Sequence, residues 1–323
     1  MDLARLPDEL LETLARVIPF DAFAWGAVDP ASLLPTRSTG TTIPSTTPVM
    51  WEVNELVARG VVSGGRRPST KRIEQSPAYQ QVLGPNAPEY QLRTALVVDG
   101  TQWGLLHIER HRPDFTSSEV ARVDALVPHL AHAFRRWILA DAKRATGTPT
   151  PVMPGVIVLD EDNELDSISP AAEHWLSEWG YGDLKIPPQA IAAVVGAARA
   201  RADRSHNEII PAARVRLPHG TWLHVRATHL TRPGRQPRTA IVLERAAPDQ
   251  VAPLIARAHQ LSQRETQIAV LVRRGLSTSE IAAKLFISEY TVQDHLKSIF
   301  EKVGVRSRRQ LATEVFDPHL AAA

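Results

Sequence analysis

The stretch ISEYTVQDHLKSIFEKV, residues 287–303, spaces Tyr290, Gln293, Asp294, Lys297 and Ser298 at helical intervals. These side chains donate and accept hydrogen bonds but form no nucleophile–base pair, so the chemistry they suit is recognition. An amide such as Gln293 can pair with adenine, and a carboxylate such as Asp294 can accept from cytosine N4, in the major groove of DNA. An acid among phosphates costs affinity unless it makes a specific contact. The alternative is that Asp294 serves only as a partner for Lys297 or Ser298 along the helix.

Groups of this kind need a helix that buries its other face. Val292, Leu296, Ile299, Phe300 and Val303 supply that apolar stripe. Upstream, QRETQIAVLVRRG (263–275) puts Ile268, Leu271 and Val272 on one face and ends at Gly275. The run LSTSEIAAKLF then starts at Ser277, with Glu280 completing a capping box. Ser288 caps the next helix, and Ser307 opens SRRQLATEVF (307–316). Two helices joined by a turn of three or four residues make a helix-turn-helix, whose second helix lies in the major groove. Spacing alone would fit any small helical bundle equally well.

Residue identity separates the two. LSQRE (261–265), GLSTSEIAAKL (275–285) and ISEYTVQDHLKSIFEKVGVRSR (287–308) together closely resemble the DNA-binding domain of LuxR-type transcription regulators. The resemblance covers about sixty residues in order. It implies that the helix beginning near Ser288 enters the groove and that the helix at 307–316 supports dimerisation. It also implies phosphate contacts from Ser277, Thr278, Ser288 and Thr291, with His295, Lys297, Arg306 and Arg308 beside them. Helix N-termini favour such anion contacts. Gln293 stands where members of the family often place Lys or Arg, and Asp294 follows it, which points to altered specificity. The expected partners are double-stranded DNA and a second copy of the chain, since one short recognition helix reads only a few base pairs.

The net charge of +2 hides a gradient. Residues 1–145 and 146–253 are close to balanced, whereas residues 254–316 hold ten Lys or Arg against six Asp or Glu. The positive excess therefore sits with the candidate reading helix, where phosphate binding needs it.

The first 250 residues contain no G-x-x-x-x-G-K-[ST] phosphate loop. GVIVLD, ending at Asp160, imitates a phosphorylatable strand end but lacks a preceding acidic pair. FDAFAWGAVD (20–29) reads as a strand, residues 30–48 as loop, and RTALVVDGTQWGLLHIER (93–110) as a hairpin turning at Asp99-Gly100. A long helix follows, opening with Thr116 and Glu119 in capping-box spacing. Its apolar seam of Val120, Val123, Val127, Leu130, Phe134 and Trp137 could pair with a second chain or pack on its own sheet. After the linker at 141–155, a strand pair, a helix capped by Ser169 with Pro170 at its first position, and a helical stretch at 188–203 precede a closing hairpin and strand.

IPFDAFAWGAVDP and WGLLHIERHRPDFTSSEVARVDALVPHLAHAF resemble a GAF domain, and GVIVLDEDNELDSISPAAEHWL with the closing strands resembles a PAS domain. The expected organisation is multidomain: an α+β GAF-like domain over 1–145, an α+β PAS-like domain over 150–247 and an all-α helix-turn-helix domain over 255–318. An unidentified small-molecule effector is the expected input, without a cofactor. The alternative is a regulator gated by phosphorylation or by a partner, whose sensory domains bind no small molecule.

The chain has no cysteine, which excludes thiol catalysis, disulfides and thiolate metal sites. No run of eighteen apolar residues occurs, so a soluble cytoplasmic protein without membrane contact is expected. No metal site is expected. His107, Glu109 and His111 alternate along one strand face without a helical H-E-x-x-H pattern, and DEDNELD (160–166) lacks the glycine of a calcium loop. GGRRPSTKR (64–72) reads as a charged loop, and the tryptophans as core.

Overall fold

The computed structural model describes residues 14–40, 69–72, 88–142, 153–202 except 183, 185 and 186, and 210–312 except 219 and 233. Residues 1–13, Trp51 and residues 64–68 lie outside them.

The first sheet has five strands: β1 (Ala22–Val28), β2 (Pro35–Gly40), β3 (Ser69–Arg72), β4 (Tyr90–Val98) and β5 (Thr101–Arg110). Their order is β2-β1-β5-β4-β3, antiparallel throughout. The β4–β5 hairpin turns where expected, with φ of 51° at Asp99 and 72° at Gly100. Positive φ at both central residues is what a tight hairpin turn demands, and Asp-Gly meets it cheaply. Two strands, β2 and β3, fall inside stretches read from sequence as loops. Neither shows apolar alternation; each gains its pairing from a neighbouring strand at the sheet edge, and Pro35 can sit only at such a strand start.

Helix α1 (Ser117–Ala142) is fastened at its start by the expected capping box, with Thr116 N 2.7 Å from Glu119 Oε2 and Glu119 N 3.3 Å from Thr116 Oγ1. Arg110 at the end of β5 donates to both Glu119 oxygens at 2.9 Å. The seam of α1 packs on its own sheet: Val123, Val127, Leu130 and Phe134 are buried, and the Phe134 ring stands edge-on to Trp25 at 4.7 Å. A Cβ at Gly104 would come 2.7 Å from the Gly26 carbonyl oxygen of β1, so only glycine fits there beside the neighbouring strand. The seam positions described are thus spent on intrachain packing, and a coiled coil with a second chain is not available to them.

A second antiparallel sheet runs β7-β6-β10-β9-β8, from β6 (Gly155–Leu159), β7 (Leu165–Ile168), β8 (Ala212–Arg216), β9 (Trp222–Arg232) and β10 (Arg235–Arg245). Ile157, Leu159, Leu223, Val225, Ile241 and Leu243 form its buried face. Helix α2 (Pro170–Trp179) starts at Ser169, whose hydroxyl accepts from Ala172 N, and stops at Gly180 with φ of 91°. Helix α3 (Gln189–Ala202) is alanine-rich and buried on nearly every side, packed against β2 of the first sheet. Its Arg199 donates to the Asp160 carbonyl at 2.8 Å. Small side chains allow that close approach from two directions.

The remainder is helical: α4 (Pro248–Ala258), α5 (Gln263–Arg273), α6 (Thr278–Leu285), α7 (Glu289–Val303) and the single turn α8 (Arg308–Gln310). The stretch 246–253 holds the start of α4. Pro248 sits in its first turn, where a missing N–H costs nothing, and Gln250 Oε1 accepts from Ala247 N at 2.7 Å. The chain divides into two compact units. One holds residues within 1–134, 153–215 and 224–244, and so both sheets; the other holds residues within 135–152, 216–223 and 245–323.

Candidate nucleic-acid interface

Three capped helix starts build the platform. Ser262 caps α5 and Glu265 answers, its Oε2 accepting from Ser262 N at 2.6 Å. Ser277 caps α6 and Glu280 answers in the same way at 2.7 Å. Ser288 caps α7, its hydroxyl accepting from Thr291 N at 3.0 Å and lying 2.8 Å from Thr291 Oγ1. Each cap satisfies backbone donors that the helix start would leave open. Between α6 and α7 lies a turn of three residues, Phe286 to Ser288, entered through Phe286 at φ 55°. Arg264 clamps its entrance, donating to the Leu285 carbonyl at 2.7 Å.

The buried face of α7 is the expected stripe. Val292, Leu296, Ile299 and Val303 pack with Ile268, Val272, Ile281 and Leu311 in one core, with Phe300 partly buried beside it. Behind the helix lies a polar lock that sequence reading did not find. Glu265 is buried, and its carboxylate accepts from Lys302 Nζ at 2.7 and 2.9 Å and from Ser298 Oγ at 2.6 Å. Burial alone would raise its pKa; the Lys302 ammonium, the Ser298 hydroxyl and the Ser262 N–H outweigh that and hold it at about 2. The lock fixes the rotation of α7 about its axis relative to α5. Its signal was present in the sequence as the Glu of LSQRE (261–265).

An open groove of about 560 Å³ runs along α7 where its buried stripe meets its polar side, lined in part by Leu296, Phe300 and Val305. It gathers five of the twelve residues expected at the interface: Thr278, Gln293, Lys297, Arg306 and Arg308. Arg308 is tied into its wall, donating to Thr278 Oγ1 at 2.9 Å and to the Leu276 carbonyl, which couples the starts of α8 and α6. Glu301 also lines the groove and went unnoticed in the sequence. Tyr290 is exposed at the start of α7, beside a fully exposed Phe286 in the turn. Ser277, Ser288 and Thr291 stand at the two helix starts, and His295 is half-buried.

Ser298 does not face the groove: its hydroxyl is given to Glu265, on the α5 side. That removes one of the partners considered for Asp294. Asp294 itself is exposed, and no hydrogen bond or ion pair to Lys297 or any other described residue holds it. The reading of Asp294 as a mere helix-surface partner therefore finds no support in the geometry; its carboxylate points to solvent on the face opposite the core. Elsewhere, no group of three or more His, Asp or Glu suited to a metal ion occurs among the described residues. His111 turns to Asp21, and Asp160 Oδ1 accepts from Asp162 N and Glu164 N inside a hairpin turn. No helix of the described residues is long and apolar enough to cross a membrane.

Known proteins agree with this platform. The model of the luxR family of bacterial regulatory proteins matches residues 259–315. The spore germination protein GerE of Bacillus subtilis is 40% identical over 55 residues, 17% of this chain and 74% of that protein. The CsgBAC operon transcriptional regulatory protein of Escherichia coli is 48% identical over 50 residues, but the match spans only 23% of its length. The GAF domain of a two-component sensor histidine kinase from Bacillus halodurans superposes on 43% of this chain and 98% of its own, with 17% identity and a slight TM-score of 0.31.

Proposed function

This chain belongs to the luxR family of bacterial regulatory proteins, and on that premise we propose that it is a dimeric, cytoplasmic transcriptional regulator, not an enzyme, that joins a sensory N-terminal region to DNA. Helix α7 enters the major groove. Gln293 and Asp294 reach base edges, while Ser277, Thr278, Ser288 and Thr291 meet phosphates from the two helix starts, with Lys297, His295 and Arg306 beside them and Tyr290 at the margin. Arg308 adds positive charge at the start of α6 through the contacts that hold it there. The observation that carries this reading is the groove where Thr278, Gln293, Lys297 and Arg306 converge on one side of α7.

The three-part organisation over 1–145, 150–247 and 255–318 belongs to the same proposal, with the first sheet and α1 as a GAF-like sensor and the second sheet as a PAS-like one. What supports it is the pair of antiparallel five-stranded sheets, each faced by helices. A small-molecule effector at these domains would alter the exposure or spacing of paired reading helices.

Fluorescence anisotropy of the full chain and of residues 254–323 on the chain's own upstream DNA, across a salt series, tests the proposal. Specific binding with a steep salt slope is expected. Absence of specific binding across genomic fragments would overturn it.

A further inference from the structure

Leu285, Phe286 and Ile287 are three consecutive apolar residues at the turn between α6 and α7, and they part company there. Leu285 and Ile287 pack against the helical core, whereas Phe286 is 94% exposed. The backbone turns it out. Phe286 lies in the left-handed region, with φ of 55° and ψ of 47°. Its N–H donates to the Ala283 carbonyl at 3.4 Å, and that of Ile287 to the Ala282 carbonyl at 3.1 Å, which fastens the turn. An L side chain is strained in this region, and glycine or asparagine is the usual occupant. The chain follows that rule at Gly180, Gly275 and Gly304, which close α2, α5 and α7 at φ of 91°, 83° and 76°. Helix α6 closes on a phenylalanine instead.

The turn therefore does not need this ring, and the core does not hold it. A lone exposed apolar side chain is ordinary; one held in a strained backbone that continues a recognition surface is a contact group. The surface it continues is the reading face of α7. Tyr290, 72% exposed, stands three and four residues before Gln293 and Asp294, so the three side chains share one face. Between Phe286 and Tyr290 stands Ser288, bonded to Thr291 at 2.8 Å, and both hydroxyls are read above as phosphate contacts. The two aromatic residues thus bracket the point where α7 meets the DNA backbone.

DNA offers apolar surface to such rings on its deoxyribose faces and at the C5-methyl group of thymine. Of these, the methyl group is the one that carries sequence information. We propose that Phe286 and Tyr290 make an apolar contact with the C5-methyl group of thymine at the edge of the half-site. It is a specificity element separate from the hydrogen-bonding pair Gln293 and Asp294. The inference rests on the DNA-binding reading above and adds the base that the turn selects.

The probe is a site selected by the full chain from random DNA, with each thymine exchanged in turn for deoxyuridine, which lacks only the C5-methyl group. Anisotropy should show affinity about 4-fold weaker at one or two thymines of each half-site, the worth of one buried methyl group. Phe286→Asn keeps the left-handed turn and removes the ring; Tyr290→Ser removes the other ring. Each variant should bind the thymine and deoxyuridine forms equally at those positions, with its salt slope and its losses at other base changes as in the unaltered chain. Misfolding would weaken every site alike and could not remove one methyl preference. A flat deoxyuridine scan of the unaltered chain overturns the inference. So does a Phe286→Asn scan that keeps the methyl preference, since the ring then faces something else, a protein included. Failure to select any sequence overturns the DNA-binding reading itself, whereas a selected site with a flat scan leaves that reading standing.

Discussion

Asp29, at the end of β1, and Arg214, within β8, form a buried two-point ion pair across 185 residues of sequence. Arg214 Nη2 lies 2.5 Å from Asp29 Oδ1 and Nε 2.8 Å from Oδ2, and the backbone N–H of Arg214 also donates to Oδ2 at 2.7 Å. The side chains are 3% and 11% exposed. Burial pushes the Asp29 pKa up, and Arg214 more than offsets it, so the carboxyl titrates below its ordinary range. With α3 packed on β2, this pair makes the two sheets parts of one unit. Removing one partner strands a buried charge, so Asp29→Ala should cost about 3–5 kcal/mol. Urea denaturation of the single variants and of the Asp29→Ala, Arg214→Leu double variant checks this; the double should lose much less than the sum.

Acid should weaken the fold through two further carboxylates. The Arg110 guanidinium, with the Thr116 N–H and hydroxyl, holds Glu119 at about 2 against its burial, and Glu265 sits equally low for the reasons given above. Both ordinary values are near 4.5. A depressed carboxyl pKa adds stability that is fully present above the unfolded value and lost as pH falls toward the folded one. Stability should therefore drop between about pH 4.5 and pH 2, by roughly 1–2 kcal/mol per group at pH 3. Urea melts at pH 6 and pH 3 measure it, and Glu119→Gln should flatten its share.

Ser298→Ala should act on stability and leave recognition alone. Its hydroxyl serves Glu265, so a loss of about 1 kcal/mol is expected. Thermal melts should move while the ranking of DNA sequences in a binding selection does not. A changed ranking would return Ser298 to the interface.

Lys297 and Gln293 should separate by kind of effect. Lys297→Ala removes an exposed cation, so affinity should fall with a shallower salt slope. Gln293→Ala should cost about 1–3 kcal/mol on the preferred site and relax one base position. Anisotropy on the site and on single-base variants distinguishes the two.

Asp294 carries the specificity test. Asp294→Asn removes repulsion from phosphates, so binding to unrelated DNA should strengthen while discrimination at a cytosine position weakens. Unchanged discrimination would reduce Asp294 to a surface charge.

The helix-turn-helix was legible because its information is local. Caps at Ser277 and Ser288, the glycine stop at Gly275, and a 3.6-residue stripe all act within a few positions of one another. The Asp99-Gly100 hairpin and the Thr116 capping box were readable for the same reason. Edge strands β2 and β3 were not, since their residues carry no apolar alternation and become strands only by borrowing the hydrogen bonds of β1 and β4. Periodicity set the seam of α1 without saying what would cover it; the sheet bearing Trp25 and Gly104 decided that. Likewise the wheel put Ser298 among the outward residues, and only the arrival of Glu265 from α5 drew it inward. Local chemistry thus determined which segments form helices and which helix can read DNA. The partners of Asp29 and Glu265 are chosen by contacts between residues far apart in the chain, and those exist only once the tertiary fold has closed.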